Sequence, residues 1–168
     1  MASIEIKCVG PLNDTGRIEL KMVNLFIGKQ STGKSTLMKI LSYCRWLEKT
    51  IMTGSDTILF AYTHNNKFIK ELMQFYRFNM GYFSNDSVIH YQGDCVSILL
   101  NGVQSNVRIE RLSTFDDERY NTKLSFIPSE RNLLSAIRNI DRAYRASDLD
   151  VLFNFVFEWG EAKEHYTN

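Results

Sequence analysis

The chain of 168 residues is short of several things, and each shortage narrows what it does. It has two prolines, Pro11 and Pro128, and no Gly/Ser linker, so it is neither a Pro-rich spacer nor a string of modules. Its three cysteines, Cys8, Cys44 and Cys95, lie far apart and form no C-x-x-C pair, which argues against a disulfide framework and a zinc site. The three histidines, His64, His90 and His165, are equally scattered and show no metal-ligand spacing. No apolar run approaches the length of a membrane span. The opening MASIEIK has no apolar core of a signal peptide, so a soluble, cytoplasmic protein is expected. An excess of one charge is missing too. With 20 basic and 19 acidic residues, nothing in the overall balance calls for nucleic acid or an acidic membrane.

What is present suits one domain. Hydrophobic residues make up 44% of the chain, enough for an ordinary core, and nothing in the composition reads as disordered. Ile4, Ile6 and Cys8 alternate as on a strand. Gly10 to Gly16 reads as a turn, after which Ile18 and Leu20 restart the alternation. Val23, Leu25 and Ile27 predict a third apolar strand that delivers the chain to Gly28. From Lys34 the period becomes helical, with Leu37, Ile40, Leu41 and Cys44 on one stripe that Trp46 and Leu47 extend. A second helix is predicted over Asn66 to Phe78 on the spacing of Phe68, Leu72, Phe75 and Tyr76. Val88–Tyr91, Cys95–Leu100 and Val107–Leu112 predict an antiparallel meander, with Gly93-Asp94 and Asn101-Gly102 as turns. A last helix is expected from Ser147 to Lys163, with Ser147 as its N-cap.

One segment carries chemistry. Gly28-Lys29-Gln30-Ser31-Thr32-Gly33-Lys34-Ser35 satisfies G-x-x-x-x-G-K-[ST] at every fixed position. Gly28 and Gly33 are expected to allow backbone that a Cβ would obstruct, so that successive N–H groups form a nest for phosphate oxygens. The following helix adds its positive end. Lys34 is expected at the β- and γ-phosphates, Ser35 on Mg²⁺ and Thr36 at the α-phosphate. Lys29, Gln30, Ser31 and Thr32 are expected to serve mainly through their backbone. The loop implies an Mg-nucleotide; no N-K-x-D-like guanine reader occurs, which favours ATP, and adenine over guanine is otherwise what the family resemblance given next implies.

Val23-Asn24-Leu25-Phe26-Ile27-Gly28 followed by Gly33-Lys34-Ser35-Thr36-Leu37 resembles the ABC-type ATPase heads of the SMC, RecF and OLD group. Phe126-Ile127-Pro128-Ser129-Glu130-Arg131-Asn132 is similar to the I-P-[SA]-E-R segment of bacterial OLD-like and stand-alone ATPases of this group. The resemblance implies an α/β fold of α+β character: a P-loop lobe with an antiparallel meander and flanking helices. It also implies a signature of the L-S-G-G type and an apolar Walker B strand ending in Asp-Glu. Neither is found; the best apolar run before an acid, Val151 to Glu158, fits a helix better. The chain is therefore expected to be a single domain and an incomplete ATPase (an N-terminal part of a longer one, a natural truncation or one half of a split pair), completed by a second copy or by a C-terminal lobe.

Other residues are weaker candidates. The family's inter-lobe loop would place Glu130 and Arg131 where they sense the γ-phosphate or a partner; a helix-start ion pair is the plainer reading. Gln92 and Gln104 are alternatives for a Mg²⁺-sensing glutamine. Lys67, Lys70, Arg77, Arg108 and Arg111 would meet DNA phosphates if they aligned, although solvated faces explain them more simply. Asp116-Asp117-Glu118 reads as a loop, with metal binding by its clustered acids as the alternative. Two other functions fit the same loop: a small P-loop kinase acting on a metabolite, and a module that binds nucleotide without catalysis.

Overall fold

A computed structural model of the chain describes residues 1–54, 56–64, 67–102, 107–112 and 124–127. Among the described residues the protein is mixed α and β, an antiparallel sheet covered on one face by three helices. β1 (Ser3–Val9), β2 (Leu12–Asp14) and β3 (Ile18–Glu19) come first. α1 (Lys34–Thr53), α2 (Asp56–His64) and α3 (Lys67–Tyr76) follow. A short 3₁₀ turn at Met80–Tyr82 leads into β4 (Phe83–Gln92), β5 (Val96–Asn101) and β6 (Arg108–Arg111). The strand path is β2-β1-β4-β5-β6, with β3 also paired to β1. The meander and the N-terminal strands thus form one sheet.

Register decides which side chains face the helices. Ile4, Tyr91, Ile98 and Ile109 stand opposite one another across β1, β4, β5 and β6, as do Ile6, Ile89 and Leu100. All seven are buried. Their neighbours of opposite parity, among them Glu5, His90 and Arg108, line the outer face, which follows from the period of two. From the other side, α1 contributes Leu37, Ile40, Tyr43, Cys44, Leu47 and Ile51 to the same core. α3 adds Phe68, Ile69, Leu72 and Tyr76. Each fully buried aliphatic side chain of this kind contributes about 1.5–3 kcal/mol.

Two expectations are corrected. Gly10 to Gly16 is not one turn: only Gly10 and Pro11 turn, and Leu12–Asp14 is a strand because it pairs with β1 through Lys7↔Asp14 and Val9↔Leu12. Val23–Ile27 is not a strand. It has no sheet partner among the described residues, and alternation alone does not make a ladder. Val23, Leu25 and Ile27 are 82%, 80% and 85% exposed. α2 has no counterpart among the elements expected from the sequence. The helix expected at Ser147–Lys163 lies outside the described residues.

A buried carboxylate fixes α1 to the sheet. Glu48 is 2% exposed and lies under the turn between β4 and β5. Its Oε1 accepts the backbone N–H groups of Cys95 at 2.8 Å and Val96 at 3.2 Å, and its Oε2 accepts the Tyr91 hydroxyl at 2.5 Å. Arg45, one turn earlier, lies 3.5 Å from the same carboxylate and 2.9 Å from Asp94. Gly93 leaves the room, since a Cβ there would overlap the carboxylate. Truncating Glu48 strands two buried amides and a hydroxyl. Glu48→Ala is expected to lose about 3 kcal/mol of stability, read as a lower urea midpoint.

Tyr43 and Tyr62 both donate to Glu71, joining the three helices. Burial first, and the nearby carboxylate second, push the hydroxyls of Tyr43 and Tyr91 well above the ordinary tyrosine value. Above roughly pH 10 these phenols ionise in the unfolded chain but stay protonated in the folded one. The unfolded state then binds fewer protons, so stability falls as pH rises. Melting temperature measured from pH 8 to 11 is expected to drop beyond pH 10, and less steeply in Tyr91→Phe.

Candidate functional site

The loop between Ile27 and α1 closes around its own lysine. The Lys34 ammonium donates to the carbonyl oxygen of Gly28 at 2.7 Å and to that of Lys29, and lies 3.4 Å from the Thr32 hydroxyl. Thr32 in turn donates to the Lys29 carbonyl at 2.9 Å. A cation therefore sits inside the loop, held by three oxygens of the loop itself. Thr32 does more than the backbone role expected of it. Its hydroxyl ties the middle of the loop to the beginning and faces the lysine. Spacing alone does not reveal this, because any residue is permitted there by the motif.

The two glycines serve different needs. Gly33 has φ +90°, a left-handed conformation that favours glycine, and its carbonyl accepts the first bond of α1 from Leu37 at 2.9 Å. A Cβ on Gly33 would also run into Leu12 and come within 3.3 Å of Pro11. The β1–β2 turn is thus packed against the end of the loop. Gly28 has no positive φ; a Cβ there would lie 3.2 Å from the Thr32 hydroxyl and 3.9 Å from the Lys34 ammonium. Its smallness keeps room around the lysine, and the expected conformational reason applies to Gly33 alone. Ser31 carries φ +62° without being glycine, so the loop holds a second left-handed residue.

α1 begins here without a cap. Gly33 offers no side chain to bond the first N–H groups, and the first turn contains no acid. Those amides and the helix dipole are left for an anion. Ser35 is exposed and Thr36 is buried. Lys34 and Ser35 also form part of the wall of a cavity of about 410 Å³, completed by Asn24, Leu25, Phe26, Met38, Lys39, Phe126 and Ile127. No aspartate or glutamate is among these residues. A hydroxyl at the start of α1, facing open space, fits one ligand position of Mg²⁺, which usually takes one or two protein oxygens and otherwise phosphate and water. Among the described residues no cluster of three metal-ligating side chains occurs.

Comparison with known families, characterised proteins and solved structures finds no match. The site must be read from its own geometry.

Of the other predicted residues, some lie outside the described residues and the rest stand away from the loop. Glu130, Arg131 and Gln104 lie outside the described residues, as does Asp116-Asp117-Glu118. Gln92 ends β4, where its side chain accepts from Arg17 at 3.3 Å. The basic set does not form one patch. Arg108 and Arg111 are three residues apart on one strand and so face opposite sides of the sheet. Arg111 turns to the helix side and donates to the carbonyl of Ile51, while Lys67 lies 4.4 Å over the Tyr62 ring. No helix among the described residues is long and apolar enough to cross a membrane.

The loop's dependence on Gly33 is testable. Gly33→Ala combines backbone strain with overlap on Leu12 and is expected to cost about 1–3 kcal/mol. Gly28→Ala meets only a hydroxyl at 3.2 Å and should cost less than half as much. Paired urea titrations of the two variants give the comparison.

Proposed function

We propose that the chain binds Mg-ATP through Gly28–Thr36 as the P-loop lobe of an ABC- or OLD-like ATPase. The observation that carries this reading is the Lys34 ammonium held inside its own loop at the uncapped start of α1. A triphosphate entering there meets a fixed cation, free helix amides and, at Ser35, a hydroxyl for the metal. Lys34 would neutralise the β- and γ-phosphates. Ser35 would take one Mg²⁺ position, and Thr36 stands one turn-step further for the α-phosphate.

Hydrolysis asks for more. Phosphoryl transfer also requires a group that positions the attacking water, usually with a carboxylate near the metal. The cavity beside Ser35 has none among its lining residues. The reading is therefore of an ATP-holding lobe whose turnover depends on residues supplied by another lobe or a second copy. The same acid-free wall favours, as second reading, a module in which nucleotide serves as a switch or structural ligand.

Binding of a fluorescent ATP analogue in Mg²⁺, with phosphate release measured in parallel, tests the proposal. The chain alone is expected to bind with little turnover. Lys34→Ala removes charge-assisted bonds and should weaken binding roughly 10- to 100-fold. Equal affinity in Lys34→Ala would remove the loop from the account. Rapid transfer to an added acceptor would assign the protein to the metabolite kinases instead.

A further inference from the structure

The nucleotide loop leaves one surface unused. Met22, Val23, Leu25 and Ile27 stand almost consecutively before it, and each is four-fifths or more exposed. Single exposed apolar residues are ordinary, but a contiguous strip marks a place where something binds. Among the described residues, this strip pairs with no strand. Its one polar side chain, Asn24, folds back to bond both backbone groups of Lys21. The strip continues into the 410 Å³ cavity, where Leu25 and Phe26 meet Met38, Phe126 and Ile127. Met38 and Ile127 are exposed as well.

The cavity wall carries Lys34 and Lys39 and no acid, and the chain from Leu20 to Leu47 is free of acids, with Glu19 just before it. That stretch includes Lys21, Lys29, Lys34, Lys39 and Arg45. Lys34 is taken by the loop and Arg45 by Glu48 and Asp94. Lys29 belongs to the loop. Lys21 and Lys39 are left over, one at the start of the strip and one in the cavity wall, where its ammonium lies 5.6 Å over the Phe78 ring.

We propose that Met22–Ile27 and the adjoining cavity dock an apolar, carboxylate-bearing segment of a partner polypeptide. Its apolar side chains cover Val23, Leu25 and Ile27. Its carboxylates meet Lys21 and Lys39. The amides of the strip supply backbone pairing, as when a peptide adds to an open edge. A second copy of the same strip is a poor occupant. Antiparallel self-pairing centred on Leu25 would bring Lys21 against Lys29 at both ends, and like charges opposed across strands are destabilising. The proposal shares with the nucleotide reading the cavity wall at Lys34 and Ser35 and otherwise uses Lys21, Val23, Leu25, Ile27 and Lys39, which that reading does not use.

The probe is a fluorescein-labelled ten-residue peptide alternating valine and glutamate, with a valine–lysine peptide as control, titrated against the full chain. Saturable binding of the first peptide and slowed amide exchange at residues 22–27 are expected. Leu25→Asp and Lys39→Glu should each weaken binding about tenfold or more, about 1.4 kcal/mol. Leu25→Asp should weaken the peptide while leaving nucleotide affinity unchanged, which separates the two proposals. Equal binding of both peptides, or unchanged exchange at 22–27, overturns the inference. So does protection of those amides in the free protein, which would mean the chain covers its own strip. Self-association abolished by Leu25→Asp would hand the strip to a second copy and overturn it too.

Discussion

Glu48 is the point on which the arrangement of this protein turns. A carboxylate removed from water is costly unless its lone pairs are met, and here they are met by two consecutive amides, a tyrosine hydroxyl and a nearby guanidinium. The partners come from α1, β4 and the turn into β5. Only one rotation and one depth of α1 satisfy them all. The apolar stripe of α1 would hold the helix against the sheet in many nearly equivalent ways; the carboxylate selects one. Gly93 is part of the same constraint, because any side chain there would occupy the carboxylate's place.

The consequence reaches the other end of the helix. α1 is one continuous element from Lys34 to Thr53, so fixing it near Glu48 also fixes where its first turn points. The loop is then wedged between that first turn and the β1–β2 turn, with Gly33 against Leu12 and Pro11. Gly10 is bonded to Tyr82 ahead of β4, its N–H donating to the carbonyl at 2.8 Å. A chain of contacts thus runs from the sheet to both sides of the loop. The Lys34 ammonium rests on carbonyls whose positions are set by this frame rather than by the loop alone.

Much of this was legible in the residue order, and the misses have physical causes. The helical stripe from Leu37 to Leu47 and the alternation in the meander identified α1, β4, β5 and β6, because both elements bury one face and so imprint their period. Leu12–Asp14 was misread because turn-forming residues surround it and only pairing with β1 makes it a strand. Val23–Ile27 failed in the opposite way: it alternates well, yet among the described residues no neighbour completes it. Arg108 and Arg111 needed only parity, which already sets them on opposite faces. Glu48 gave no signal, since an acid in a helix is ordinarily a solvated one.

The sequence by itself determined the loop. Glycines, lysine and hydroxyl at fixed spacing constrain a short stretch of backbone, and short-range constraints survive in a linear code. It also determined which faces of α1 and of the meander are apolar. The tertiary structure decided which carboxylate is buried, why Gly33 and not Gly28 needs a left-handed backbone, that Thr32 supports the lysine, and that an apolar strip stands open beside the site. Each of these depends on what lies across a gap from a residue distant in the chain. Distances through space are set by packing and register, which local spacing does not contain.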